Sequence, residues 1–462
     1  MNPWDLDANL RIVVIDFLIL SSFILLGSLA RRYIKFFQRY LVPNNFIGGF
    51  LALIMGREIL GWIDLDPDRL ILYVYHLLAL TFICLGLRQS KTKWGKGPFS
   101  KSMNGISSYL LQALVGLAVA FILVKTVMPD LFIGIGLVVP LGFGMGPGLA
   151  ATIAGSWEKY GFEGGAQVGL TFATVGYMYA FFLGMALIHW GIRTKKTALI
   201  KGTDHISEDM RRGLHHEKPY PVAGHLPQST EAIEPFSFHI ALVGLVYLLT
   251  YLAVLGFEKL LLMGNLTDLV DILWGFHFII GLLIAIGVRK LFDVSGRGYQ
   301  IDSGLMTRSM GLFLDYLVVG AVAGISITVI GMYWLPILIM SLIAGPATMF
   351  MFYYTCYRAF DDYHFERFVE LFGEMTGTIN SALVLLKVLD PELKTPVAED
   401  AAYGSGISLF IGIPLLFGLG VAVAQNSEQA YWILFFAIIA YWALWIGIWR
   451  LMGFIHFRKR EV

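Results

Sequence analysis

Apolar runs of about 20 residues recur along this 462-residue chain, and their recurrence limits its fold more than any other feature. Such a run crosses a hydrocarbon layer as a helix, because a helix pairs its own N–H and C=O groups where water cannot. Charged residues are 15% of the chain and hydrophobic ones 57%, whereas a soluble domain carries about 25% charged residues. The mean hydropathy of +0.70 agrees. The chain reads as an all-α polytopic membrane protein. Cys84 and Cys356 lie inside apolar runs, so neither a disulfide framework nor a two-cysteine metal site is expected. Residues 1–7 lack a basic start, and the first run reads as a retained helix rather than a cleaved signal.

The runs place spanning helices at about 10–30, 45–60, 70–87, 106–127 and 166–190 in a first half. A second half has 238–261, 269–291, 309–330, 334–357 and 397–424, and one further helix follows at 431–454. Between the halves, 194–235 is polar and holds Pro219, Pro221, Pro227 and Pro235. It reads as a solvated cytoplasmic linker, with the pair His215-His216 leaving open a regulatory or metal-binding loop. The expected units are 1–193, the linker 194–235, 236–424, and 425–462 with its basic tail.

Two stretches cannot be ordinary spans. One is Leu141-Gly142-Phe143-Gly144-Met145-Gly146-Pro147-Gly148-Leu149-Ala150; the other is Leu371-Phe372-Gly373-Glu374-Met375-Thr376-Gly377-Thr378-Ile379-Asn380. Glycines, a proline and small hydroxyl residues crowd their centres and interrupt a helix. Broken backbone at membrane depth survives only when buried in protein or lining a wet cavity. Both stretches read as tips of re-entrant hairpins, at about 131–165 and 365–394, that meet at a substrate site.

The positive-inside rule sets the orientation. With the N-terminus outside, basic clusters at 31–39, 88–101, 193–218, 289–308 and 458–460 fall inside. Of the 34 basic residues, mainly Arg11, Arg57, Arg69, Lys125, Lys159 and Lys259 fall outside. The first hairpin then enters from outside and the second from inside, so five helices plus a hairpin recur with inverted topology. Met145 to Gly176 spans 31 positions, as does Met375 to Gly406; eight residues on stand Gly184 and Pro414. Inverted repeats with broken elements near the midplane mark secondary transporters.

A broken helix offers free N–H groups to a carboxylate and free C=O groups to Na⁺. Gly144, Met145, Gly146 and Gly148 of the first tip, and Thr376, Gly377, Thr378 and Asn380 of the second, are candidate substrate ligands. Thr174 and Ser405 join them from helices five and ten. Thr171 and Ser408 could line the same cavity, although such hydroxyls often bond back into their own helix. Tight helix packing is the alternative role for all these small residues. Glu374, Asp315, Thr378 and Ser381 are candidates for the coupling ion. A carboxylate at membrane depth is expensive and signals function, and Glu374 could bind a cation, carry a proton or pair with a basic residue. Asp315 lies mid-helix, with Thr81 as its counterpart in the first half; a structural hydrogen bond is its alternative. Glu399 and Asp400 read as dipole-complementing charges at a helix start.

The residues Val42-Pro43-Asn44-Asn45-Phe46-Ile47-Gly48-Gly49, the stretch from Gly142 to Gly155, Lys159-Tyr160-Gly161-Phe162, Ala166-Gln167-Val168-Gly169 and Ala173-Thr174-Val175-Gly176 resemble the bacterial sodium:glutamate symporter family. The likeness covers roughly 10–424 and is best over 42–190. It implies two inverted five-helix repeats with glycine-rich re-entrant loops, a homodimer, and Na⁺-coupled glutamate uptake in the bacterial inner membrane. The second tip departs from the family, with Glu374, Thr376 and Thr378 where a glycine-richer loop is expected. The linker and the helix at 431–454 are additions. No arginine at membrane depth answers a substrate side-chain carboxylate, Arg308 being the nearest by segment.

The expected function is Na⁺-coupled symport of glutamate or a related small carboxylate by alternating access, with no cofactor and no nucleic-acid partner. A channel or a ligand-binding membrane sensor on a similar scaffold is the alternative. An enzyme is disfavoured, because no clustered metal ligands or activated nucleophile lie at membrane depth.

Overall fold

The computed structural model describes residues 8–89, 95–200, 208–214, 222–264, 268–391 and 393–456. His215-His216 and the basic tail from Arg458 lie outside the described residues. No strand occurs among those described. In order the helices are α1 (Ala8–Tyr33), α2 (Lys35–Tyr40), α3 (Asn44–Met55), α4 (Pro67–Leu87), α5 (Lys96–Thr126), α6 (Val138–Phe143), α7 (Pro147–Gly155), α8 (Gly165–Met178), α9 (Gly184–Arg193) and α10 (Glu208–Arg212). They continue with α11 (Pro235–Met263), α12 (Asp268–Gly275), α13 (His277–Val294), α14 (Ser303–Ala323), α15 (Ile327–Ala359), α16 (His364–Met375), α17 (Ile379–Leu389), α18 (Val397–Gln425) and α19 (Glu428–Leu451). Nine helices among the described residues are long and apolar enough to cross a membrane, with α8 and α9 joined through a π turn at Tyr179–Leu183 into one of them. This is a helical membrane protein.

Chain chemistry sets the boundaries. Asp66 accepts from the N–H groups of Asp68 and Arg69, and Pro67 opens α4 with φ already suited to a helix. Asp302 caps α14 and Glu234 caps α11 in the same way. Four expected spans differ. The second ends at Met55, where Gly56 leaves helical geometry and Arg57 pairs with Asp64 and Asp66 in the following loop. The fourth begins ten residues early, at Lys96, so Lys101 belongs to a helix and not to a loop. The seventh is divided at Phe276 into α12 and α13. The eighth stops at Ala323; Gly324 follows, and Glu58 accepts from Ser326 Oγ and the Ile327 N–H at the start of α15. α15 absorbs part of the expected gap by kinking at Tyr333.

α4 and α14 pack along each other, flanked by α3 against α14 and α13 against α4. α5 is the most enclosed long helix and packs on α15, α18 and α19. Glycines permit the closest approaches: a Cβ at Gly116 would fall 1.9 Å from the Gly136 carbonyl oxygen. Of the short helices, α7 packs on α4 and α14, α6 on α5 and α8, α16 on α15 and α5, and α17 on α16 and α18.

Candidate substrate and ion site

Both expected interruptions are present. α6 stops at Phe143 and α7 starts at Pro147; α16 stops at Met375 and α17 starts at Ile379. Gly146 has φ of +88°, a conformation that an L side chain resists, and it turns the chain into α7. The two breaks touch: a Cβ on Gly146 would sit 3.6 Å from Thr378 Cγ2. Gly176 backs the second break so closely that its Cβ would lie 2.3 Å from the Thr376 oxygen. The starts of α7 and α17 therefore converge, and neither carries a side-chain cap.

Gln112 of α5 ties the breaks together. Its Nε2 donates to the Met375 oxygen (2.9 Å) and to Thr348 Oγ1 (3.1 Å). Its Oε1 is buried, makes no hydrogen bond, and faces Gly144. Tyr177 of α8 lies beside the Thr378 side chain and within electrostatic reach of Asp315. Asp315 Oδ1 accepts from Asn45 Nδ2 at 2.8 Å, and no Lys, Arg or His pairs with it among the described residues. Asp315 and Asn380 are exposed, Thr378 and Met145 half-buried. Asp315, Asn45, Tyr177 and Thr378 thus form a polar cluster that runs from exposed Asp315 to the point where the breaks meet.

No family model, no curated protein and no solved structure matches this chain.

The expected site residues separate into groups. Gly146 and Thr378 form the meeting point. Gly144 packs on Tyr109, and Gly148 on Leu78 and Leu317, at distances that no larger residue would fit without displacement. Gly377 lies against Ala180 and Ser381, and Ser381 is buried with its Oγ 3.4 Å from Thr378 Oγ1. The Thr376 hydroxyl bonds back to the Phe372 oxygen (2.7 Å), Ser405 to Ala401 (2.6 Å) and Thr171 to Gln167 (2.8 Å). Ser408 bonds the oxygens of Gly404 and Ser102. Thr174 is buried in α8. Thr81 bonds back to Leu77, so it does not repeat the chemistry of Asp315. Asp400 answers Arg367 at 2.7 Å rather than merely complementing the start of α18.

Glu374 is paired with a basic residue. Lys101, 2% exposed, places its ammonium on Glu374 and 3.2 Å from Glu370. Counting Lys101 among the inner loop charges is corrected accordingly. Lys101, Gln112 and Tyr177 are the residues the sequence reading passed over. A signal existed: Lys101, Asn104, Ser108 and Gln112 stand at steps of three and four, a polar stripe along one face of an apolar helix. Thr348 and Thr355 answer that stripe from α15, the latter by a hydrogen bond to Asn104.

Proposed function

We propose that this chain is a secondary active transporter that carries glutamate or a related small carboxylate with Na⁺ by alternating access. The observation that carries the reading is the contact between two interrupted helix pairs at Gly146 and Thr378. The uncapped starts of α7 and α17 bring open N–H groups to one point, a fit for a carboxylate. The polar cluster at Asp315 and Thr378 suits the coupling ion: a hard cation favours carboxylate and hydroxyl oxygens, and a carboxylate within a span that no basic residue pairs among the described residues calls for a positive partner.

The packing supports inverted repeats. α1 lies on α3 as α11 lies on α13; α3 meets α14 as α13 meets α4; α6 meets α5 as α16 meets α15; and α8 meets α15 as α18 meets α5. Exchanging the halves leaves the central pairs α4–α14 and α5–α15 in place. The π turn before Gly184 and Pro414 within α18 are irregularities at matched positions. In this reading the two interrupted pairs are re-entrant hairpins in a bacterial inner membrane, with the N-terminus outside, the C-terminus inside, and two copies forming the working unit. Asn45 follows the basic stretch Arg31 to Arg39, so the polar cluster lies toward the inner side.

Purified protein in liposomes tests the reading. Labelled glutamate should accumulate only under an inward Na⁺ gradient. Flux at channel-like rates without a gradient would overturn it.

A further inference from the structure

The charges on α16 have a use that the transport reading leaves aside. Glu370 and Glu374 stand one turn apart on α16, 1% and 6% exposed. Two like charges at this spacing repel, and burial penalises both. Lys101 comes in from the second turn of α5 to lie between them. Its stem runs through a slot left open by α18: a Cβ at Gly404 would fall 2.4 Å from Lys101 Cγ. The surrounding groups are few. Tyr109 comes from α5 and Cys356 from α15; Arg367 is one turn away on α16 and committed to Asp362 and Asp400. A single ammonium, one positive charge, thus faces both carboxylates. Glu370 Oε1 is in ion-pair range of Lys101 but makes no hydrogen bond.

We propose that Glu370 and Glu374 form a monovalent-cation site that the chain fills from within, the Lys101 ammonium standing where a free Na⁺ or K⁺ would otherwise bind. The lysine is a tethered cation of fixed occupancy. It holds α16 against α5 whatever the ionic conditions, and it withdraws Glu374 from the ion that moves. The coupling ion is left to the polar cluster at Asp315 and Thr378, on the other side of the break. This goes beyond the transport reading and is tested without it, because the measurement below uses neither substrate nor gradient.

The test is the thermal stability of the full chain in detergent, in Na⁺, K⁺ or choline chloride at one ionic strength. Lys101→Ala opens the slot and leaves the carboxylates without their ammonium. Its Tm should then rise with Na⁺ or K⁺ over choline by more than the wild type's does, by about 2 °C per tenfold increase above the dissociation constant. Lys101→Arg should keep the wild-type response. Lys101→Met combined with Glu374→Gln should lose the added response, since one carboxylate of the site is gone. A Lys101→Ala variant that folds in choline and shows no added response overturns the proposal. Should Lys101→Ala fail to fold in choline, recovery when Na⁺ or K⁺ is present throughout purification supports the site. Failure in every cation overturns it. If the wild type shows no Na⁺ response and no uptake while Lys101→Ala gains one, the transport reading fails and this proposal stands.

Discussion

The two interrupted helix pairs meet at one point, yet they are held there by different forces. The first is built by shape. Every described side chain on α6 is apolar and buried, and its glycines let neighbouring backbone approach: a Cβ at Gly142 would fall 2.6 Å from Phe172 Cβ and 2.8 Å from the Ala173 nitrogen. The second is built by charge. Glu366, Arg367, Glu370 and Glu374 are all buried on α16; Lys101 of α5 holds Glu370 and Glu374, Asp400 of α18 holds Arg367, and the Ala198 N–H donates to Glu366. A shape-built element tolerates changes of salt but no added atoms. A charge-built element has polar contacts that can exchange partners, and it fails when one partner is removed. The second break carries the half-exposed Thr378 and the exposed Asn380, and it is where ion dependence should appear.

The largest expected effect breaks the charged half. Arg367→Met leaves buried Asp400 without its guanidinium, and removing one partner of a buried pair costs about 3–5 kcal/mol. Chemical denaturation in detergent would read this, and a loss below about 1 kcal/mol would show that α16 is not held by its charges. Gly142→Ala attacks the shape-built half. Overpacking against backbone should cost about 1–3 kcal/mol, with no dependence on NaCl concentration. A salt-dependent loss at Gly142 would erase the contrast. Gly146→Ala has room for its methyl group but holds φ at +88°, so about 1–2 kcal/mol of backbone strain is expected. Uptake in liposomes should fall by more than that stability change implies, because α7's start is re-aimed. Thr378→Ala is the mildest. It should shift stability by less than about 0.5 kcal/mol while weakening the Na⁺ dependence of glutamate uptake at least about tenfold. Unchanged Na⁺ dependence in Thr378→Ala would remove the hydroxyl from the ion site.

Most of the helices and both interruptions are legible in the sequence, because each depends on neighbours within a few residues. The apolar runs set α1, α4, α11, α18 and α19 to within a few positions, and the glycines and Pro147 mark the first break directly. The ends of α3, α5 and α14 are less legible. Gly56 and Gly324 are weak stop signals in a chain with 50 glycines, and the helical start of α5 carries charges that resemble a loop. The site is legible in part: Gly146 and Thr378 meet, whereas the Thr376 and Ser405 hydroxyls bond back into their own helices.

What the sequence determined by itself is therefore local: which segments are apolar enough to be helices across a membrane, and where glycine and proline interrupt them. What only the tertiary structure decided is which groups answer one another. Lys101 and Glu374 are 273 positions apart, Gln112 and Met375 263, and Asn45 and Asp315 270. Helical periodicity shows that a polar residue shares a face with others, but it holds no information on what packs against that face. A buried charge must find its partner wherever the fold brings one, and the cost of leaving it unpaired makes that pairing a property of the packed molecule.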